Sequence, residues 1–345
     1  MKIVGCDLHT RYQQVAMLDQ ETGELIERRL EHESGEARAF YAALSAPVRV
    51  GIEATGHTRW FERMLAELGH ELWIGDAAQI RASVVRKQKT DARDAAHLLE
   101  LLLSERFPRI WRPTMAERDL RQLVWHRQKL VWMRIAVGNQ LHALAMGEGV
   151  CRKKKLFTKK GRAELEGLGL GVWASYRRQE LLTMLDRFDA SLQELDRAVA
   201  EQAEQNRAAV LLMTHPGVGP VTSLAFVLTL GPVERFERSK QVVSYLGLNP
   251  REHSSGGRQR LGAISKQGNP MMRSLLVEAG HSAARLDSEL RQDYQRLKLR
   301  RGSGVAKVAI ARKLAVRMYW MLRGQASYAQ LVRMQGSPWA TLVQH

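Results

Sequence analysis

The chain opens on an apolar run closed by an acid, residues 3–7 (Ile-Val-Gly-Cys-Asp), which reads as a short buried strand. Alternating positions over 13–18 and 24–30 predict two more strands, separated by a polar turn at 19–23. Helical spacing then predicts a helix over 36–44, a strand over 48–53, a helix over 58–68 and a strand over 71–74. A three-strand meander followed by alternating helix and strand is the order expected of an α/β RNase H-like (RuvC-like) domain, placed at residues 1–110.

A further helix is expected over 91–106. Beyond Pro113, apolar residues recur at helical spacing over 116–146 (Leu120, Leu123, Val124, Leu130, Val131, Ile135) and again over 176–209 (Leu181, Leu185, Phe188, Leu192, Leu195, Val199). Two long amphipathic helices joined by a loop predict an antiparallel coiled-coil arm spanning 111–209. Its joining loop carries Lys153, Lys154 and Lys155, a basic tip that reads either as solvated charge or as a contact for a phosphate backbone. Residues 210–345 form the third expected domain, mostly α-helical.

Charge changes the picture through its distribution. The chain of 345 residues carries a net +17, which favours a polyanionic partner, nucleic acid first. Residues 1–105 hold 13 Lys and Arg against 17 Asp and Glu, residues 106–210 hold 20 against 12, and residues 211–345 hold 20 against 7. An acidic third kept on a basic protein fits carboxylates that gather a divalent metal, although many acids, Glu21 and Glu24 among them, read as solvated surface. No run of about 18 apolar residues occurs, and the first residues lack a signal peptide's apolar core. A cytoplasmic, nucleoid-associated protein is therefore expected. The two cysteines, Cys6 and Cys151, have no paired spacing and predict neither a disulfide nor a zinc site.

Four carboxylates stand out. Asp7 closes the first strand and Glu53 the fourth, and the expected topology sets these strands side by side and parallel. Asp91 and Asp94 are three residues apart at a helix start, so they share a face. Thr90 can cap that helix, and either aspartate alone is as readily a helix-dipole partner. Converged, the four would supply the hard oxygen ligands that Mg²⁺ or Mn²⁺ requires for phosphoryl chemistry. His9 and His57 follow the first two acids, as proton shuttles or, more simply, as turn and surface histidines.

Two further segments carry candidate chemistry. His215-Pro216-Gly217-Val218-Gly219-Pro220 places glycines between two helical segments, like a helix-hairpin-helix whose amides hold a phosphate, or like an ordinary tight turn. Residues 245–269 surround the small-residue turn Ser254-Ser255-Gly256-Gly257 with Arg251, Arg258, Arg260 and Lys266, cations suited to phosphoryl oxygens.

Asp7, Glu53, the Lys89-Thr90-Asp91-x-x-Asp94-Ala95 block and the Pro250-Arg251…Ser254-Ser255-Gly256-Gly257…Ile264-Ser265-Lys266-x-Gly268-Asn269 block, in that order, resemble the DEDD transposases of the IS110 and IS1111 insertion sequences, relatives of the pilin-gene invertases. The likeness spans nearly the whole chain. It implies an N-terminal RuvC-like domain whose Asp7, Glu53, Asp91 and Asp94 bind Mg²⁺, a coiled-coil arm, and a C-terminal domain with a serine nucleophile. That serine precedes a glycine, which matches Ser255, with Ser254 as its neighbour. The resemblance also implies donor and target DNA as substrates, a noncoding bridge RNA as guide, and a dimer or tetramer of the chain. Three alternatives stay open on the residues: a Holliday-junction nuclease using water in place of Ser255, a DNA invertase acting without RNA, and an architectural nucleic-acid-binding protein without catalysis.

Overall fold

In the computed structural model, which describes residues 1–84, 90–152, 155–252 and 260–334, the chain divides into two units, Met1–Arg112 and Pro113–His345. The first is built on a five-stranded sheet of β1 (Lys2–Leu8), β2 (Tyr12–Asp19), β3 (Leu25–Glu31), β4 (Arg49–Glu53) and β5 (Glu71–Gly75), in the order β3-β2-β1-β4-β5. β2 is antiparallel to both β1 and β3, whereas β4 runs parallel to β1 and β5 parallel to β4. The meander and the alternating segments expected from the sequence are thus observed as a mixed sheet.

β1 is central and buried on both faces, which is why its residues run apolar without alternation. Val4 and Cys6 join a core with Tyr41 of α1 (Glu36–Ala42) and with Phe61 and Leu65 of α2 (Arg59–Glu67). Ile3 joins the opposite core, with Ile80 of α3 (Ala77–Ser83) and Ala95, Leu98, Leu99 and Leu102 of α4 (Asp91–Leu103). Helices therefore cover both faces. Gly5 lies on the α4 side, where a Cβ would stand 2.2 Å from the Ala95 carbonyl oxygen and 2.4 Å from the Leu99 amide nitrogen. Only glycine permits a helix backbone to rest directly on the strand here.

The second unit is helical. Thr114 and Glu117 form a capping box at the start of α5 (Met115–Gly147). This helix pairs with α7 (Val172–Gln205), linked by α6 (Lys159–Glu166). Arg127 binds Asp196 at 2.7 Å and Arg177 binds Gln140 at 3.1 Å, so α5 and α7 run antiparallel. The second long helix departs from its sequence expectation of 176–209. Asn206 is extended (φ −100°, ψ 105°), and its side chain accepts from the Ala209 amide, ending α7 and starting α8 (Arg207–Met213). The outer part of the pair, with Val137, Leu141, Leu181 and Leu185, forms a core with Leu156 and Leu165. Val124 of α5 and Val199 and Ala203 of α7 instead join the main core of the C-terminal helices.

That core is completed by α9 (Pro220–Leu230), α10 (Ser239–Tyr245), α11 (Pro270–Leu286), α12 (Ser288–Arg323) and α13 (Tyr328–Met334), with a two-stranded ribbon of β6 (Pro250–Glu252) and β7 (Leu261–Ile264). Among the described residues no helix is long and apolar enough to cross a membrane.

Candidate metal centre

Strand periodicity and register bring the acids to one place. Gly5 pairs with Gly51 across β1 and β4, and both face α4, since a Cβ on Gly51 would stand 2.7 Å from Leu102 Cδ1. Two residues along each strand, Asp7 and Glu53 fall on that same face at the strand ends. α4 passes Gly5 at residues 95–99 and begins at Asp91, so its N-terminus overlies those ends. The helix start is fixed by Thr90, whose hydroxyl accepts from the Arg93 amide at 3.4 Å.

Asp7 Oδ2 lies 3.1 Å from His9 Nε2, which lies 3.5 Å from Asp91 Oδ2. One ligand atom from each of Asp7, His9 and Asp91 falls within a 4.8 Å sphere of mutual separation, close enough to share a cation. Tyr12 donates to Asp91 Oδ2 at 2.8 Å, and this bond raises the phenol above its ordinary range, so it remains a donor at neutral pH. The Tyr12 ring sits 4.6 Å from the His9 ring and carries the Arg29 guanidinium 3.7 Å from its centroid.

Glu53 and Asp94 flank this trio without joining it. Glu53 is half-exposed, with Arg81 Nη2 4.0 Å from its Oε1. Asp94 stands one helical turn after Asp91, and its amide donates to the Thr90 carbonyl at 3.0 Å. His57 is exposed. His9 thus stands between Asp7 and Asp91, and Tyr12, which the sequence reading did not name, contacts both His9 and Asp91. The signal was there: the β1–β2 register pairs Asp7 with Gln14 and Leu8 with Gln13, so His9 faces Tyr12, on the same side of the sheet as Asp7. Starting the second strand at residue 13 hid that pairing.

In the other unit, Ser254, Ser255 and Arg258 lie outside the described residues, as do Lys153 and Lys154 of the basic loop; Lys155 is exposed. The base of the ribbon that leads to residues 253–259 is tightly built. Gly247 (φ 67°) and Gly268 (φ 70°) are pressed against the Gln267 and Tyr245 carbonyl oxygens, at 2.0 and 2.1 Å from where a Cβ would sit. The Ser265 hydroxyl donates to Asn249 Oδ1 at 2.8 Å. Arg251, Arg260 and Lys266 are exposed around it, with Arg251 donating to the Ser265 carbonyl at 3.4 Å. The glycine hairpin joins α8 to α9. There Gly217 (φ 86°) packs against α11, its Cβ position 2.4 Å from the Ala283 amide nitrogen, while Gly219 is exposed at the N-cap of α9.

Two family profiles match the chain. One, DEDD_Tnp_IS110, described as "Transposase", covers residues 4–147. The other, "Transposase IS116/IS110/IS902 family", covers residues 209–295. The chain is 28% identical over 333 residues to a probable family 20 transposase of Pseudomonas aeruginosa, covering 92% of this chain and 96% of that one. It is 27% identical over 340 residues to the transposase for insertion sequence element IS1111A of Coxiella burnetii, covering 95% and 91%. A pilin gene-inverting protein of Moraxella bovis is 36% identical over 74 residues, 21% of this chain and 23% of that one. The acidic sheet end, the helical second unit and these matches define the class, an enzyme of DNA transposition. Within it, the chain belongs to the IS110/IS1111 family of insertion-sequence transposases.

Proposed function

We infer that this transposase cuts and rejoins DNA through Ser255, assisted by Mg²⁺ or Mn²⁺ held by Asp7, Glu53, Asp91 and Asp94. The observation that carries this reading is the meeting of Asp7 and Asp91, far apart in sequence, around His9. The donor set fits a hard divalent ion because it is built of carboxylate oxygens, with the His9 imidazole beside Asp7 and Asp91. A cation bound there supplies positive charge to phosphoryl oxygens. The strand order β3-β2-β1-β4-β5 supports an RNase H-like reading of the first unit, and the antiparallel α5–α7 pair supports a coiled-coil arm over 111–209, ahead of a C-terminal domain at 210–345.

The chain's own residues divide the work. Tyr12 holds Asp91, and the close seat of α4 on Gly5 holds Asp91 and Asp94 over Asp7 and Glu53. Ser255 Oγ attacks a DNA phosphorus: the Oγ–P bond forms, a bridging P–O bond to deoxyribose breaks, Oγ gives up its proton and the departing oxygen gains one. In rejoining, a strand hydroxyl attacks the phosphoserine and Oγ is released. Arg251, Arg258, Arg260 and Lys266 neutralise the phosphate in both steps, while Gly217, Gly219 and the Lys153–Lys155 loop contact the DNA backbone. Acids and serine on separate units suit an active site composed between copies of the chain in a dimer or tetramer. A bridge RNA pairs with donor and target DNA and supplies specificity, and the protein works at the nucleoid.

Ser255→Ala and Asp7→Asn are each expected to abolish strand cleavage, with only the wild type leaving a covalent protein–DNA adduct; cleavage by Ser255→Ala would show that water, not serine, is the nucleophile. The second reading is a DNA invertase acting without guide RNA, in which the likeness to a pilin gene-inverting protein supports inversion. Sequencing RNA bound to the protein purified from its host separates the two, since guidance requires an abundant transcript from DNA flanking the gene.

A further inference from the structure

α12 is two helices that reverse direction. Asp287 and Arg317 meet at 3.3 Å, Glu289 and Arg317 at 2.6 Å, and Asp293 binds Lys313, so the ion pairs close around residues 302–303. Leu290 and Ile310 share a buried cluster. The turn is Gly302, at φ 82° and ψ 165°, a backbone conformation that side chains oppose. Segment 288–323 is thus an antiparallel helical hairpin, bonded along its length and open at its apex.

Residues 298–305 at that apex are all exposed, Leu299 to 88% and Val305 to 54%. They carry Lys298, Arg300 and Arg301, with Lys307 just beyond, and among the described residues none of these four forms an ion pair. Asp293 is the last acidic residue of the sequence, and it is already engaged by Arg296 and Lys313. The distal hairpin beyond Asp293 therefore carries no acidic side chain of its own. The four cations diverge from an exposed ridge instead of converging in a pocket, which suits an extended polyanion and not a small phosphate.

We propose that this apex is a docking element for duplex DNA, in which Lys298, Arg300 and Arg301 lie along the phosphodiester backbone. The contact is independent of sequence, uses residues other than the four carboxylates and Ser255, and holds DNA before any bond is cut.

The test is binding of the full-length protein to a duplex of arbitrary sequence, by fluorescence anisotropy across a salt series, with a chelator present so that the metal centre contributes nothing. The triple variant Lys298→Gln/Arg300→Gln/Arg301→Gln is expected to bind about ten-fold more weakly and to flatten the slope of log K against log salt by about two to three. A control, Arg59→Gln/Arg63→Gln, removes exposed charge from α2 of the other unit and should leave the slope unchanged. Should the triple variant fail to match the wild-type circular dichroism, Lys298→Gln and Arg301→Gln singly are each expected to lower the slope by about one. An unchanged slope, an equal change in the control, or a loss confined to RNA with duplex binding intact would each overturn the proposal. None of these outcomes depends on cleavage.

Discussion

Tyr12 donates its phenolic hydrogen to Asp91 Oδ2 at 2.8 Å, bridging 79 positions of sequence. The bond joins the second strand to the first turn of α4, and it leaves Asp91 with one oxygen fixed in direction. A carboxylate held by an outer partner binds a cation with less loss of freedom than a mobile one. Tyr12→Phe keeps the ring on His9 and Arg29 and removes only the hydroxyl. We expect it to weaken Mn²⁺ binding by roughly ten-fold with no change in melting temperature. Raising the Mn²⁺ concentration should restore cleavage; an unaltered Mn²⁺ titration would remove Tyr12 from the site.

The seat of α4 gives a second prediction. At Gly5 the obstacle to a Cβ is helix backbone, whereas at Gly51 it is the end of the Leu102 side chain. Gly51→Ala can be absorbed by a rotamer change, but Gly5→Ala must lift the helix that carries Asp91 and Asp94. Overpacking of this kind costs about 1–3 kcal/mol. Gly5→Ala should therefore lower the unfolding midpoint and also lose cation binding, while Gly51→Ala shows the smaller effect on both. Equal losses from the two would argue that the helix seat is not what positions the acids.

His215 sets a pH dependence of stability. It is 1% exposed, donates from Nδ1 to the Pro216 carbonyl at 2.9 Å, and its ring lies tilted with its centroid 4.4 Å from that of Tyr328. Burial pushes it down to about 4 from an ordinary 6.5. Between those values the unfolded chain binds a proton that the folded chain refuses, so stability is greatest above about 6.5 and falls as pH drops toward 4. The loss approaches about 3 kcal/mol. Denaturation measured from pH 7 to pH 4.5 should show this slope in the wild type and a shallower one in His215→Gln.

Arg317 is 4% exposed, with Nη1 3.3 Å from Asp287 and Nη2 2.6 Å from Glu289. Burial works to raise the Asp287 carboxyl, but the Leu290 amide, the Tyr328 hydroxyl and Arg317 together hold it below the ordinary range. Arg317→Met strands that carboxylate and should cost about 3–5 kcal/mol. Arg317→Met/Asp287→Asn should recover part of the loss, because the uncompensated charge is gone. A double variant as unstable as the single one would mean that packing, not charge, sets the cost.

Much of the first unit was legible in the chain because its strands are short and their faces differ. The apolar run at 3–7, the alternation at 13–18 and the 48–53 strand fix element type locally, and Asp7, Glu53, Asp91 and Asp94 were conspicuous as acids at element ends. Helical spacing likewise gave α5 and most of α7, missing its first turn at Val172 and its end at Asn206, where a side-chain cap outweighs continued apolar periodicity. Periodicity says which residues share a face and little about which faces meet.

The meeting of faces was decided in three dimensions. His9 and Tyr12 carry no acid signature, and they enter the centre through a hairpin register one residue longer than the apolar pattern suggests. The hairpin at Gly302 was equally hidden, since a glycine within a helical pattern reads as tolerated until ion pairs across 287–317 show the chain turning back. Sequence by itself determined the local elements, the acidic and basic segments and the family, because these depend on neighbours along the chain. Only tertiary structure decided which carboxylates share a cation-sized space and which cations stand uncompensated, because both depend on distances that close through long-range packing.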